Sequence, residues 1–224
     1  LVGSEMCIRD RHKTEETRRE IPILAMDYTF MHKKQEEKEE KGMPILVTKD
    51  LTNTVRGTGM ISANVVLQKG ACPQAISRLS DEVHKLGHSE LILKSDGEPA
   101  ISSLKRKVKR ERAERIVIED SPMADSRANG AIERAIQQVQ GQIRTLKDCL
   151  ESRIGRKITG EENIFPWLVH HAGATIDRYH VGQDGKTAYR RWKGRDFRRE
   201  VAEFLSLIHI SEPTRPLYIS YAVV

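Results

Sequence analysis

Three carboxylic acids stand out for the residues that surround them. Asp27 interrupts the apolar run Ile21–Met31, where an unpaired charge would cost several kcal/mol unless a cation or a hydrogen-bond network compensates it. Asp96 closes the run Leu91-Ile-Leu-Lys-Ser-Asp96 and is followed by Gly97, and side chains at the carboxyl ends of strands in α/β sheets commonly reach a ligand. Glu133 falls one residue past the start of an apolar helical stripe. Its own face, followed in steps of three and four, carries Asn129, Gln137, Gln140 and Arg144. That face is rich in amides and suits contact with nucleic acid better than mere solvation. Two strand acids and a helix acid that converge would hold hard divalent cations such as Mg²⁺ or Mn²⁺, which take oxygen ligands. A pair of ions about 4 Å apart activates an attacking oxygen and stabilises the leaving one. Taken singly, each acid is more often a turn, ion-pair or solvated residue, so the case rests on convergence.

The elements that must position these acids are legible from periodicity. Ile21–Met31 reads as a buried strand, Met43–Thr48 as a second, and Val55–Val66 as holding a third. Pro73–Leu86 places Ala75, Ile76, Leu79, Val83 and Leu86 at helical spacing, and Gly87 stops that helix. Strand Leu91–Asp96, helix Ala100–Ala113 and strand Arg115–Glu119 follow. The longest helix is expected over Asn129–Ser152, where Ile132, Ile136, Val139, Ile143, Leu146 and Leu150 form one buried stripe. A last helix spans Asn163–Tyr179. Between the first two strands, Lys33–Gly42 alternates Lys and Glu and reads as a solvated hairpin tip. Hairpin strands followed by alternating helices and strands predict an α/β fold, a mixed sheet of about five strands flanked by helices.

The motifs around the acids are more specific than their spacing alone. Met26-Asp-Tyr-Thr29, Lys94-Ser-Asp-Gly97 and Ser126-Arg-Ala-Asn-Gly-Ala-Ile-Glu-Arg134 resemble the D,D,E signature of retroviral and retrotransposon integrase catalytic cores. The 36 residues from 97 to 132 between Asp96 and Glu133 are close to that family's usual interval. Gly185-Lys-Thr-Ala-Tyr189, followed by Trp192-Lys-Gly-Arg195, resembles a later conserved region of retrotransposon integrases, with Ala188 in place of the commoner Pro and Arg190 in place of Glu. The resemblance covers residues 21 to 197. It implies a ribonuclease H-like fold and a polynucleotidyl transferase that trims 3′ ends and joins element DNA to target DNA. Asp27, Asp96 and Glu133 would be the catalytic ligands of two Mg²⁺ or Mn²⁺ ions. Asn129 matches an active-site-loop position that contacts the DNA end. Gln137 and Gln140 match helix positions where retroviral enzymes often carry Lys. The resemblance further implies a nuclear site of action and a homo-oligomer in the full-length protein. A ribonuclease H-like nuclease and an inactive nucleic-acid-binding remnant stay open as alternatives.

Charge and composition agree with a phosphate partner. The 224 residues carry 38 Lys+Arg against 32 Asp+Glu, a formal charge of +6. Ser102–Arg115 and Lys186–Glu200 each carry net +5, and clustered cations give salt-sensitive, sequence-indifferent affinity for DNA by releasing counterions. Lys105 and Lys109 in the first cluster, and Arg190, Arg191 and Lys193 in the second, are the expected phosphate contacts. Aromatic residues are only 5%, too few for a base-stacking platform. No run approaches the ~20 apolar residues of a membrane span. Cys7, Cys72 and Cys149 are odd in number and scattered, which excludes a disulfide scaffold and a Cys-x-x-Cys zinc site and favours a reducing compartment.

The ends read differently from the interior. Leu1–Arg11 and Leu205–Val224 resemble translated sequencing-adaptor sequence, and each is electrically neutral, so the +6 belongs to residues 12–204. The expected organisation is artefact plus linker over 1–20, catalytic core over 21–180, basic C-terminal extension over 181–204 and artefact over 205–224. With no amino-terminal His/Cys zinc module in the sequence, the chain is read as a fragment of a larger polyprotein. Metal-dependent nicking or the reverse joining reaction is then the most it would perform alone.

Overall fold

The structure, a computed structural model, describes residues 21–31, 42–52, 59–121 and 126–198, with side chains from residue 129 in the last segment. The charged tip, both chain ends and the start of the expected third strand lie outside the described residues. The elements are β1 (Ile23–Thr29), β2 (Ile45–Asp50), β3 (Ile61–Val65), α1 (Pro73–Leu86), β4 (Glu90–Ser95), α2 (Pro99–Glu111), β5 (Arg115–Asp120), α3 (Ser126–Ile154), α4 (Ile164–Tyr179) and α5 (Ala188–Lys193). The expected order is realised. α3 begins at Ser126 rather than Asn129, and α5 is an addition. Six residues are too few to show an apolar period. α5 is instead set by its caps: the Thr187 side chain accepts from Arg190 N–H, and Gly194 is left-handed at φ 70°.

The five strands form one mixed sheet in the order β3-β2-β1-β4-β5. β1 pairs antiparallel with β2, and β2 with β3, while β1 pairs parallel with β4, and β4 with β5. The parallel strands need crossovers, which α1 and α2 supply. α1 opens on Pro73 and ends at Gly87, whose φ of 71° lets its N–H return to His84 O.

Helices cover both faces, which explains why β1 reads as a nearly continuous apolar run. On one face Leu24, Met26 and Tyr28 of β1 pack with Leu79 of α1 and Ile101 and Leu104 of α2. On the other, Ala25 packs with Val47, Ile61 and Ala63 beneath Val139 and Ile143 of α3 and Leu168 of α4. Each fully buried Met, Leu or Ile contributes about 1.5–3 kcal/mol relative to an exposed one. The α3 stripe is as expected for Ile132, Val139, Ile143 and Leu150, all buried, with Ile136 and Leu146 packed at its margin.

The seam between α4 and the edge strand β3 is unusually close. A methyl at Gly173 would stand 3.3 Å from Ala63 N and Ile61 O, so helix backbone lies directly on the strand. One turn later the buried Asp177 carboxylate accepts the Ile61 N–H at 2.8 Å. Burial pushes the Asp177 carboxyl up from 3.8 to about 7, despite that bond. Nearby, the ammonium of buried Lys49 is pushed down, by burial first and then by Arg134, while Asp177 pulls the other way.

The folded chain keeps the Asp177 proton to about pH 7, whereas an unfolded Asp releases it near 3.8. The folded state therefore binds more protons across that window, and stability falls as pH rises through it. Asp177→Asn keeps an acceptor for Ile61 without the charge. Urea unfolding should show the stability difference, Asn variant minus wild type, growing as pH rises from about 4 to about 7 and then levelling. A difference independent of pH would refute the assignment.

Candidate metal centre

β1 and β4 bring the first two acids together. Their register sets Leu24 opposite Leu93 and Ala25 opposite Lys94, so Asp27, further along β1, comes beside Asp96, just past the end of β4. Side chains alternate along a strand. Asp27 and Thr29 therefore share the face of Ala25, beneath α3.

A third acid joins them from a turn. Among the described residues, Asp27, Asp96 and Glu98 each offer a carboxylate oxygen, and these atoms lie within 4.8 Å of one another. All three are half-buried. The turn Asp96-Gly-Glu-Pro99 folds so that Glu98 N–H approaches Asp96 Oδ1 at 3.4 Å, and Pro99 opens α2. An acid just before a helix start is favoured there by the helix dipole. In the sequence Glu98, between Gly97 and Pro99, reads as an ordinary turn residue, and the folded turn is what brings it to the other two acids.

Asp27 bears the cost of the convergence. Its carboxyl is pushed up to about 6, by desolvation first, with the charges of Asp96 and Glu98 adding to it. The Tyr28 N–H, donating to Asp27 Oδ1 at 2.7 Å, and Lys69 oppose that rise without cancelling it. Three carboxylates with no sulfur or imidazole donor make an oxygen-only set that fits a hard divalent cation such as Mg²⁺ or Mn²⁺.

Glu133 stands apart from this group. It is exposed, on α3, and is not among the acids within 4.8 Å of one another. The helix around it is tied to the sheet on either side. Ser121 Oγ donates to Asn129 Oδ1 at 2.6 Å, and Gln140 Nε2 donates to Thr29 Oγ1 at 2.7 Å and Phe30 O at 3.4 Å. Gln140, expected on DNA, thus spends its amide nitrogen on the end of β1, and Arg144 reaches its carbonyl at 3.5 Å. Gln137 and Arg144 are exposed.

The basic clusters divide in the same way. Lys105 is not a surface cation: it is 0% exposed and donates to Glu119 O at 3.0 Å and Asp120 Oδ1 at 2.6 Å, tying α2 to β5. A periodicity of Lys and Arg cannot reveal that one of them turns inward. Lys109 on the same helix is exposed. Arg191 closes the turn before α5, with Nε donating to Asp184 Oδ2 at 3.0 Å and a second nitrogen donating to Lys186 O at 2.8 Å. Arg190 is exposed and 3.3 Å from Asp196, and exposed Lys193 stands 3.5 Å from the Trp192 ring centroid.

The sequence matches no family profile and no curated protein. Solved structures are similar in fold. The catalytic core domain of HTLV-2 integrase, in complex with magnesium in a trimeric form, aligns with a TM-score of 0.51 and 17% identity over 76% of this chain and 95% of that one. The simian T-cell lymphotropic virus intasome in complex with PP2A regulatory subunit B56 gamma aligns with a TM-score of 0.52 and 18% identity over 81% of this chain and 57% of that one. The fold is thus the ribonuclease H-like mixed sheet, and the chain resembles retroviral integrase catalytic cores. No described helix is long and apolar enough to cross a membrane.

The mutual repulsion of the acids is measurable. Carboxyl NMR titration of the metal-free protein should place Asp27 near pH 6. Asp96→Asn should lower it without restoring 3.8, because desolvation, the larger cause, remains. An Asp27 that titrates normally in the wild type would remove the convergence.

Proposed function

We propose that the chain is the catalytic core of a retroelement integrase, a metal-dependent polynucleotidyl transferase that trims 3′ ends and joins element DNA to target DNA. The observation that carries this reading is the meeting of Asp27 and Asp96, each delivered by its own motif, on a fold like that of integrase cores. Asp27 and Asp96 would hold the cations, with Glu98 as a neighbouring oxygen donor and Glu133 reaching in from α3. When bound, two such ions lend Lewis-acid stabilisation to the attacking and leaving oxygens.

The chain's own residues supply position and charge. The central strands fix the two Asp carboxylates, and the half-buried setting strengthens their field. Of the cations expected on phosphates, Lys109, Arg144, Arg190 and Lys193 are exposed, as is Gln137, and Asn129 lies in the first turns of α3. In this reading the chain is part of a larger polyprotein, acts in the nucleus, and works as a homo-oligomer on DNA. The exposed side chain of Glu133, outside the acidic group, favours a second reading, an inert remnant that binds nucleic acid only.

The test is cleavage or joining on a branched DNA substrate in Mg²⁺ or Mn²⁺. Asp96→Asn and Glu133→Gln should each lower the rate at least about a hundredfold, the kinetic equivalent of about 2.7 kcal/mol of lost transition-state stabilisation. Activity that survives both substitutions would sink the assignment. Salt-dependent DNA binding with no heat of metal binding would select the remnant.

A further inference from the structure

The loop between β3 and α1 sets a cation against the acids. Lys69 Nζ donates to both carboxylate oxygens of Glu98, at 2.8 and 3.1 Å. It also stands 5.5 Å from the Tyr28 ring centroid and 5.4 Å from that of Phe30. The loop backbone is fixed on either side of it, since Gly70 N–H donates to the Tyr28 hydroxyl of β1 at 3.1 Å and Leu67 N–H to Gln74 Oε1 of α1 at 3.0 Å. Gly70 takes a φ of 100°, which a side chain would resist. The ammonium is therefore carried by a fixed loop, yet 33% of its side-chain surface faces water.

We propose that Lys69 is a built-in counter-ion of the acidic site, which a divalent cation displaces from Glu98 and which then holds a DNA phosphate beside the metal-bearing carboxylates. This rests on the metal-dependent reading above. Three carboxylates within 4.8 Å of one another ask for more positive charge than one ammonium supplies. A divalent ion meets that demand better, and the two cations repel each other if both stay on Glu98. An ion pair this open to water is weak and easily exchanged. Lys is a point charge on a flexible stem with three rotatable donors, so it can swing from a carboxylate to a phosphate without leaving the faces of Tyr28 and Phe30.

The experiment is titration calorimetry with Mn²⁺ on wild type, Lys69→Gln, Lys69→Met and Lys69→Arg, paired with the salt dependence of duplex DNA binding in Mn²⁺. Both neutral variants should bind Mn²⁺ about tenfold more tightly, the effect of removing a unit charge beside a divalent ion. Lys69→Arg should stay close to wild type. The neutral variants should bind DNA more weakly, with a log–log salt slope shallower by about one phosphate contact. Mn²⁺ affinity unchanged or weakened in the neutral variants, or an unchanged salt slope, overturns the proposal. Wild-type protein that takes up no Mn²⁺ overturns the metal-dependent reading itself, and this inference with it.

Discussion

Asp27 and Asp96 are neighbours because β1 and β4 run parallel at the centre of the sheet, with Ala25 opposite Lys94. That register carries one acid alongside the other, and the turn at Gly97 folds a third within 4.8 Å. Two unit charges 4 Å apart repel by about 1 kcal/mol in water and by several-fold more where protein replaces water. The remaining local structure can be understood as a response to this crowding. Asp27, desolvated first and then crowded by Asp96 and Glu98, keeps its proton up to about pH 6, the Tyr28 N–H donates to it, and Lys69 stands against Glu98. A core without these acids would gain from apolar residues in their place. Half-buried near the carboxyl ends of the two central strands, they concentrate negative charge where a cation would be favoured.

The helices and strands were legible because both faces of the sheet are covered, which leaves unbroken apolar runs for strands and clean stripes for helices. Asp27 was legible for the same reason, as a charge set against apolar neighbours, and Asp96 as an acid that closes a strand before Gly97. Glu98 was not, because a Glu between Gly97 and Pro99 looks like any turn residue until the turn is folded. Lys105 and Gln140 were misread for a related cause. Periodicity says which residues share a helix face but not which partner meets it, and both side chains spend their donors on the sheet. α5 escaped because its six residues are defined by caps rather than by a period.

The two basic clusters also change character once folded. Part of each is internal strapping: Lys105 fastens α2 to β5 and Arg191 closes the turn before α5. Lys49 sinks beneath α3 and α4, where its ammonium is disfavoured. A net charge of +6 therefore overstates the cations that face a ligand. Exposed cations remain in both clusters, among them Lys109 on α2 and Arg190 and Lys193 on α5, and they lie on separate elements.

The position of Glu133 follows from how α3 is fastened. Asn129 is bonded to Ser121 at the end of β5, and Gln140 to Thr29 and Phe30 at the end of β1. The helix is thus pinned on both sides of Glu133, to the two strands that flank β4. Glu133 and Gln140 are seven residues apart, about two turns and ~10 Å along the axis, and so lie on nearly one face. The bond of Gln140 to Thr29, two residues past Asp27 on the same strand face, therefore sets the rotation of α3 that Glu133 shares. For Glu133 to reach the acids, its side chain must turn from water toward the sheet while these two fastenings keep the helix in register. A cation held by Asp27, Asp96 and Glu98 would supply the attraction for that turn, because it converts a site that repels a fourth carboxylate into one that welcomes it.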